Sequence, residues 1–130
     1  MSDEYGLLID HIHLRVRDLP ASRKFYEAAV TALGLAIGWE NDHAIEIREL
    51  FLSDDQPASG PIHIAFRAGT REAVERFYAA TLSAGGRDNG APGERGYHPG
   101  YFSAYVLDPD GNNVEAVFHG RPASPSLPSE

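Results

Sequence analysis

Residues 10–16 read Asp10-His11-Ile12-His13-Leu14-Arg15-Val16, and residues 62–67 read Ile62-His63-Ile64-Ala65-Phe66-Arg67. In both, apolar and polar side chains alternate with the period of a half-buried strand. Ile12, Leu14 and Val16 share one face, with His11, His13 and Arg15 on the other; Ile62, Ile64 and Phe66 oppose His63, Ala65 and Arg67. Each stretch runs into a helix. Asp18 is a suitable N-cap, Pro20 is tolerated in the first turn, and Phe25, Tyr26, Ala29, Val30 and Leu33 follow before Gly34 ends the helix. Thr70 caps the second helix, whose buried face carries Val74, Phe77, Tyr78 and Thr81 and which stops at Gly85-Gly86.

The two copies keep one register. His11 and His63 are 52 residues apart, and so are Arg15 and Arg67, Asp18 and Thr70, and Phe25-Tyr26 and Phe77-Tyr78. Two copies are too few for a solenoid and predict a pseudo-twofold pair of modules. In the second, Tyr101 to Leu107 is rich in aromatic and β-branched residues, Asp108-Pro109-Asp110-Gly111 is a turn, and Val114 to Phe118 closes the module as a strand. In the first, Ala36 to Glu40 and Ala44 to Ser53 supply strand material around an Asn41-Asp42 turn, but no turn residue divides Ala44 to Ser53. Each module therefore reads β-α-β-β-β. Module one covers about 7–56 and module two about 60–119 of a single domain, 1–119. Gly85 to Gly100 reads as a long irregular loop, and residues 120–130 as a mobile tail.

Composition narrows the chemistry. With 130 residues, 42% hydrophobic and 23% charged, the chain is globular rather than disordered. It contains no Cys, which excludes disulfides and thiolate ligands, so a metal must be held by His and carboxylate. Eleven basic against nineteen acidic residues give a net charge of -8, unfavourable for a nucleic-acid partner. Met1-Ser2-Asp3-Glu4 lacks the basic and apolar regions of a signal peptide, and no apolar run approaches the roughly 20 residues of a membrane helix. The expectation is a soluble cytoplasmic protein with neither nucleic-acid nor membrane partners.

His11, His13, Arg15, His63 and Arg67 lie on strand faces turned away from the helices. A sheet curved around such a polar face encloses a site rather than a dry core. Glu115 stands between Val114 and Ala116, where a carboxylate is costly unless paired or bound to metal. Two imidazoles and one carboxylate from separate strands suit a divalent metal such as Zn, Ni, Fe(II), Mn or Co, and three protein ligands leave positions open for water and substrate. The plainer alternative is a pair of hydrogen-bonded strand histidines and a surface carboxylate. The matched offset of His11 and His63 favours the shared site.

These residues resemble the vicinal oxygen chelate superfamily, which includes glyoxalase I, bleomycin-resistance proteins, fosfomycin-resistance thiol transferases and extradiol dioxygenases. The resemblance rests on Asp10 to Leu19 with Phe25-Tyr26, on Ile62 to Phe66, and on Asp108-Pro109-Asp110-Gly111-Asn112-Asn113-Val114-Glu115, and spans about residues 7–119. It implies an α+β glyoxalase-like fold of two pseudo-symmetric β-α-β-β-β modules forming a curved mixed sheet. It further implies a cup closed within one chain or between swapped chains of a homodimer, and metal ligation by His11, His63 and Glu115. Pairing Glu49-Leu50-Phe51-Leu52 with Glu115-Ala116-Val117-Phe118 nominates Glu49 as a fourth ligand and catalytic base, with Glu46 as the alternative.

From their places on the polar strand face and the strand entering the closing turn, His13 and Tyr105 are candidates to contact substrate or transfer a proton; Arg15 and Arg67 could anchor an acidic substrate or form rim salt bridges, and His98 and Tyr101, beside the long loop, could form a lid. The implied function is a divalent-metal-dependent, glyoxalase-like isomerase or lyase acting on a small oxygen-rich molecule. The alternatives are an extradiol-type dioxygenase and a metal-free, drug- or ligand-sequestering protein of the bleomycin-resistance type. The latter usually lack the metal ligands, so the presence of all three favours an enzyme.

Overall fold

The computed structural model describes residues 8–120; apart from Gly120, the expected mobile tail lies outside them. The elements run β1 (Ile12–Arg15), α1 (Leu19–Ala32), β2 (Trp39–Glu40), β3 (Ala44–Ile47), β4 (Leu50–Ser53), β5 (His63–Arg67), α2 (Arg71–Ser83), β6 (Arg87–Glu94), β7 (Phe102–Leu107) and β8 (Asn113–Phe118). The β-α-β-β-β order thus occurs twice. Each module builds its own four-stranded mixed sheet, in the orders β1-β4-β3-β2 and β5-β8-β7-β6. β1 pairs in parallel with β4, β5 in parallel with β8, and the other neighbours are antiparallel. β1 and β5 are therefore edge strands, and among the described residues no ladder joins the two sheets within one chain.

Both helices start where their caps dictate. The Asp18 carboxylate accepts from the Ala21 N–H at 3.1 Å, and the Thr70 hydroxyl from the Ala73 N–H at 3.0 Å. α1 and α2 pack on one another, and α2 also covers β6, β7 and β8. Phe25, Tyr26, Val74 and Phe77 are fully buried and share one core cluster with Leu14, Leu52, Val106 and Val114. The apolar faces of β1 and β5 turn into this core through Leu14, Val16 and Ile64, and the histidine faces turn out of it. Among the described residues no helix is long and apolar enough to cross a membrane.

Two local expectations are corrected. The last hairpin of module one divides at Arg48-Glu49, and Arg48 takes the left-handed conformation, φ 55°. Glycine or asparagine would have marked that turn; arginine does not. The stretch after α2 is not irregular throughout, since Arg87–Glu94 forms β6 along β7. Its register shifts between Asp88 and Gly90 and again between Gly90 and Gly93, which leaves Ala91-Pro92 outside the ladder. Because β6 is an edge strand, proline and bulges are tolerated there.

The turn Asp108–Asn112 joins the modules. The buried Asp108 carboxylate accepts from the N–H groups of Asp110 (2.9 Å) and Asn112 (2.8 Å) and from the Asn112 side-chain amide (2.8 Å). Gly111, at φ 88°, supplies the left-handed residue that closes the turn. On its other side Asp108 accepts the Tyr26 O–H from α1 at 2.5 Å. Burial and then Asp108 push the Tyr26 hydroxyl well above the phenol range, so it stays a donor. Asp110 also receives Arg17, with the guanidinium at 3.1 Å.

Tyr26→Phe should lower stability by about 1–3 kcal/mol, because it strips a buried carboxylate of one donor while keeping the ring; chemical denaturation with an unchanged m-value measures this. Gly86→Ala should cost about 1–3 kcal/mol by overpacking. A Cβ there would stand 2.5 Å from Val106 Cγ1 and 2.7 Å from Phe25 Cε1.

Candidate metal centre

β8 lies between β5 and β7, and Val114 to Val117 are buried on both of its faces, with α2 packed against the strand. Glu115 is accordingly only 1% exposed, although ionisable. A carboxylate so placed needs partners. Its Oε1 lies 2.7 Å from Nε2 of His63, and its Oε2 accepts the Tyr101 O–H at 2.6 Å. Burial and then the Glu115 charge raise the Tyr101 hydroxyl well above the phenol range, which keeps its proton in place. His63 stands on the edge strand with 54% of its side chain exposed, so the pair is open on that side. Tyr105, directly across from Glu115, faces the His63 ring at 6.2 Å between centroids.

This pair fits a cation. Two N/O ligands about 2.1 Å from one ion at a right angle stand about 3 Å apart. His63 Nε2 and Glu115 Oε1 are joined by a hydrogen bond at 2.7 Å, near that spacing, and a half-exposed imidazole beside a buried carboxylate is a borderline donor set. His11 is not part of the cluster within one chain: among the described residues, no three His, Asp or Glu side chains converge as ligands. His11 lies at the entry to β1, with Nδ1 2.8 Å from an Asp10 carboxylate oxygen. It lines an open cavity of about 440 Å³ with Asp10, His13, Glu46, Arg48, Glu49 and Phe51.

The register of the first sheet corrects the pairing of Glu49 with Glu115 on which the nomination of a fourth ligand rests. His13 stands opposite Phe51, and Phe51 opposite Glu46; in the second sheet Ala65 stands opposite Glu115, and Glu115 opposite Tyr105. Since the 52-residue offset maps His13 onto Ala65, Phe51 occupies the place of Glu115, and Glu46 that of Tyr105. Glu49 falls in the turn before β4, where its carbonyl accepts from the Ile12 N–H at 2.7 Å. The undivided stretch 44–53 concealed this, because the turn position fixes the register of both flanking strands.

His13 takes part in a relay. The Ser53 hydroxyl donates to Asp55 at 2.6 Å, so it accepts from His13 Nε2–H at 2.7 Å. In the neutral imidazole that assignment leaves Nδ1 as the acceptor. The Ser53 bond, followed by the Arg15 guanidinium, holds the Asp55 carboxyl below its ordinary range. Arg15 is thereby engaged with Asp55 at 3.2 Å rather than directed at the cavity. Arg67 stands exposed at the end of β5, opposite Val117.

His98 and Tyr101 belong to the second sheet's side. His98 Nδ1–H donates to the Pro99 carbonyl (2.8 Å), and His98 Nε2 lies 3.0 Å from His119 Nδ1. His119 went unread in the sequence, although it follows Glu115 and Val117 at strand spacing on the same face. Ser53 and Asp55 were also missed; only the pairing of Ser53 with Arg15 brings them near His13.

Comparison with known proteins places the chain. Residues 8–116 match the family model of the Glyoxalase/Bleomycin resistance protein/Dioxygenase superfamily. A glyoxalase/bleomycin resistance protein from Albidiferax ferrireducens T118 is 29% identical, with a TM-score of 0.74 over 86% of this chain and 98% of that one. A lactoylglutathione lyase from Agrobacterium tumefaciens is 23% identical (TM-score 0.62, 85% and 92% covered), and a glyoxalase-related enzyme from Fulvimarina pelagi is also 23% identical (TM-score 0.63, 85% and 86% covered). No curated protein matches. At these last identities the likeness is one of fold. The duplicated β-α-β-β-β modules and the match across most of the sequence make this chain a member of the glyoxalase/bleomycin resistance protein/dioxygenase superfamily.

Proposed function

We propose that the protein is a divalent-metal-dependent enzyme acting on a small oxygen-rich molecule, with His63 and Glu115 of one chain and His11 of the partner subunit as ligands. The observation that carries this reading is the buried Glu115 carboxylate held 2.7 Å from a half-exposed imidazole. Three features support the second copy. Among the described residues His11 does not converge with the pair, β1 and β5 carry no strand on their outer sides (Arg15 meets Ser59 there), and exposed apolar residues stand at the start of β1 and just before β5, Ile12 and Ile62. An open sheet edge is a template for pairing with another chain. Zn, Ni, Fe(II), Mn or Co all suit the donors. When bound, such an ion supplies a Lewis acid for two adjacent substrate oxygens.

The first sheet would then form the facing wall, and its side chains suit proton transfer. His13 presents Nδ1 as a base while Ser53 and Asp55 hold Nε2–H, and Glu46 and Glu49 line the same cavity. This favours glyoxalase-like isomerase or lyase chemistry, with His13 moving the substrate proton. A second reading, an extradiol-type dioxygenase, draws on Phe51: with no carboxylate in the place equivalent to Glu115, the ligand set is two His and one carboxylate, the facial arrangement of non-haem Fe(II) oxygenases.

Wild-type protein should bind Zn(II) stoichiometrically, and His63→Ala should abolish that binding. His11→Ala and Glu115→Ala should each bind none, yet subunit exchange between them should restore binding, because each hybrid dimer regains one complete site. Failure of the wild type to take up Zn(II), Ni(II), Mn(II) or Fe(II) would favour metal-free ligand sequestration. Full binding by His11→Ala would remove the shared site. Hemithioacetal turnover by Ni(II)-loaded protein, against O₂ consumption with a catechol by Fe(II)-loaded protein, separates the two enzymatic readings.

A further inference from the structure

Glu115 is held from a second side by a residue outside the strands. Tyr101 sits in the turn between β6 and β7, and its O–H donates to Oε2 at 2.6 Å while Oε1 faces His63. The turn is closed on itself: the Tyr101 N–H donates to the His98 carbonyl (3.1 Å), and the Tyr101 carbonyl accepts from the Arg95 N–H (2.9 Å). Edge-on contacts to Tyr97, His98 and His119, at 4.9, 5.3 and 5.3 Å between centroids, fix the ring. Gly100 and Gly120 press the turn against the end of β8, for a Cβ on either would come within 2.9–3.0 Å of the other's Cα. Both have positive φ, 89° and 87°, so glycine is required at each on two counts.

A carboxylate free to rotate can offer a cation one oxygen or two. Here Oε2 is already committed to a neutral hydroxyl donor, and Oε1 is the oxygen aligned with the imidazole. We propose that Tyr101 is a positioning residue for the metal centre: it fixes the Glu115 carboxylate plane and reserves Oε1, beside His63 Nε2, for the cation, so that Glu115 binds through one oxygen. The proposal rests on the reading of His63 and Glu115 as ligands.

Co(II) is the probe, titrated by calorimetry and visible absorption into wild type, Tyr101→Phe and Tyr97→Phe, each checked for native circular dichroism. Tyr101→Phe keeps the packed ring and removes only the donor. It should weaken Co(II) binding by about 10- to 100-fold, the usual effect of losing an outer-shell partner. It should also change the visible spectrum, because the freed Oε2 can join the ion. Tyr97→Phe removes a hydroxyl from the same aromatic group without touching Glu115 and should leave affinity and spectrum unchanged. Wild-type affinity and spectrum in Tyr101→Phe would overturn the proposal and leave the ligand assignment standing. Equal losses in both variants would also overturn it, since the effect would then belong to the aromatic packing. If the wild type binds no Co(II), the ligand assignment fails and the positioning role fails with it.

Discussion

Asp108 holds the two halves of the chain in one arrangement. Its carboxylate closes the turn before β8 and receives the Tyr26 hydroxyl from the helix of the other module. The turn reaches further through Asn112, whose side-chain carbonyl accepts from the Ile62 N–H at 2.9 Å. The residue before His63 is thus pinned to the turn that starts the strand of Glu115. A buried, fully hydrogen-bonded polar group of this kind specifies one geometry, because any rearrangement leaves a charge without partners. The neighbouring of His63 and Glu115 follows from that constraint as much as from the ladder between β5 and β8.

The second module brings His63, Tyr101 and Glu115 together. Glu115 is buried beneath its neighbours His63, Tyr101 and Tyr105, and it tolerates burial because His63 and Tyr101 satisfy both oxygens. The first module offers a more open surface, in which carboxylates and two histidines line a cavity around Phe51. The duplication therefore repeats the scaffold without repeating the chemistry. Glu115 has Phe51 as its counterpart, Tyr105 has Glu46, and Ala65 has His13. Under the proposed function, one module would hold the cation and the other would contact the substrate.

Much of this was legible in the residues. Alternation at His11–Val16 and Ile62–Arg67 assigned the histidine faces, and the caps Asp18 and Thr70 assigned both helix starts, since these signals act over a few residues. The Arg48-Glu49 turn was hidden because arginine seldom adopts the left-handed conformation it has there. That one unplaced turn misassigned Glu49, because every residue of a hairpin inherits its register from the turn. β6 was hidden for a related reason: Gly90, Pro92 and Gly93 read as loop residues, but an edge strand can bulge around them.

The sequence by itself determined the two modules, the side of each strand that faces the helices, and the residue types available to a metal, all of which follow from short-range periodicity and composition. Tertiary structure alone decided which of those residues meet. Tyr101 joins Glu115, Ser53 joins His13, and among the described residues His11 joins no three-ligand cluster, because contacts across tens of residues depend on ladder register and on the packing of α1 against α2. No local pattern encodes those distances. They are set by burying one common core at the same time as every buried polar group finds its partner.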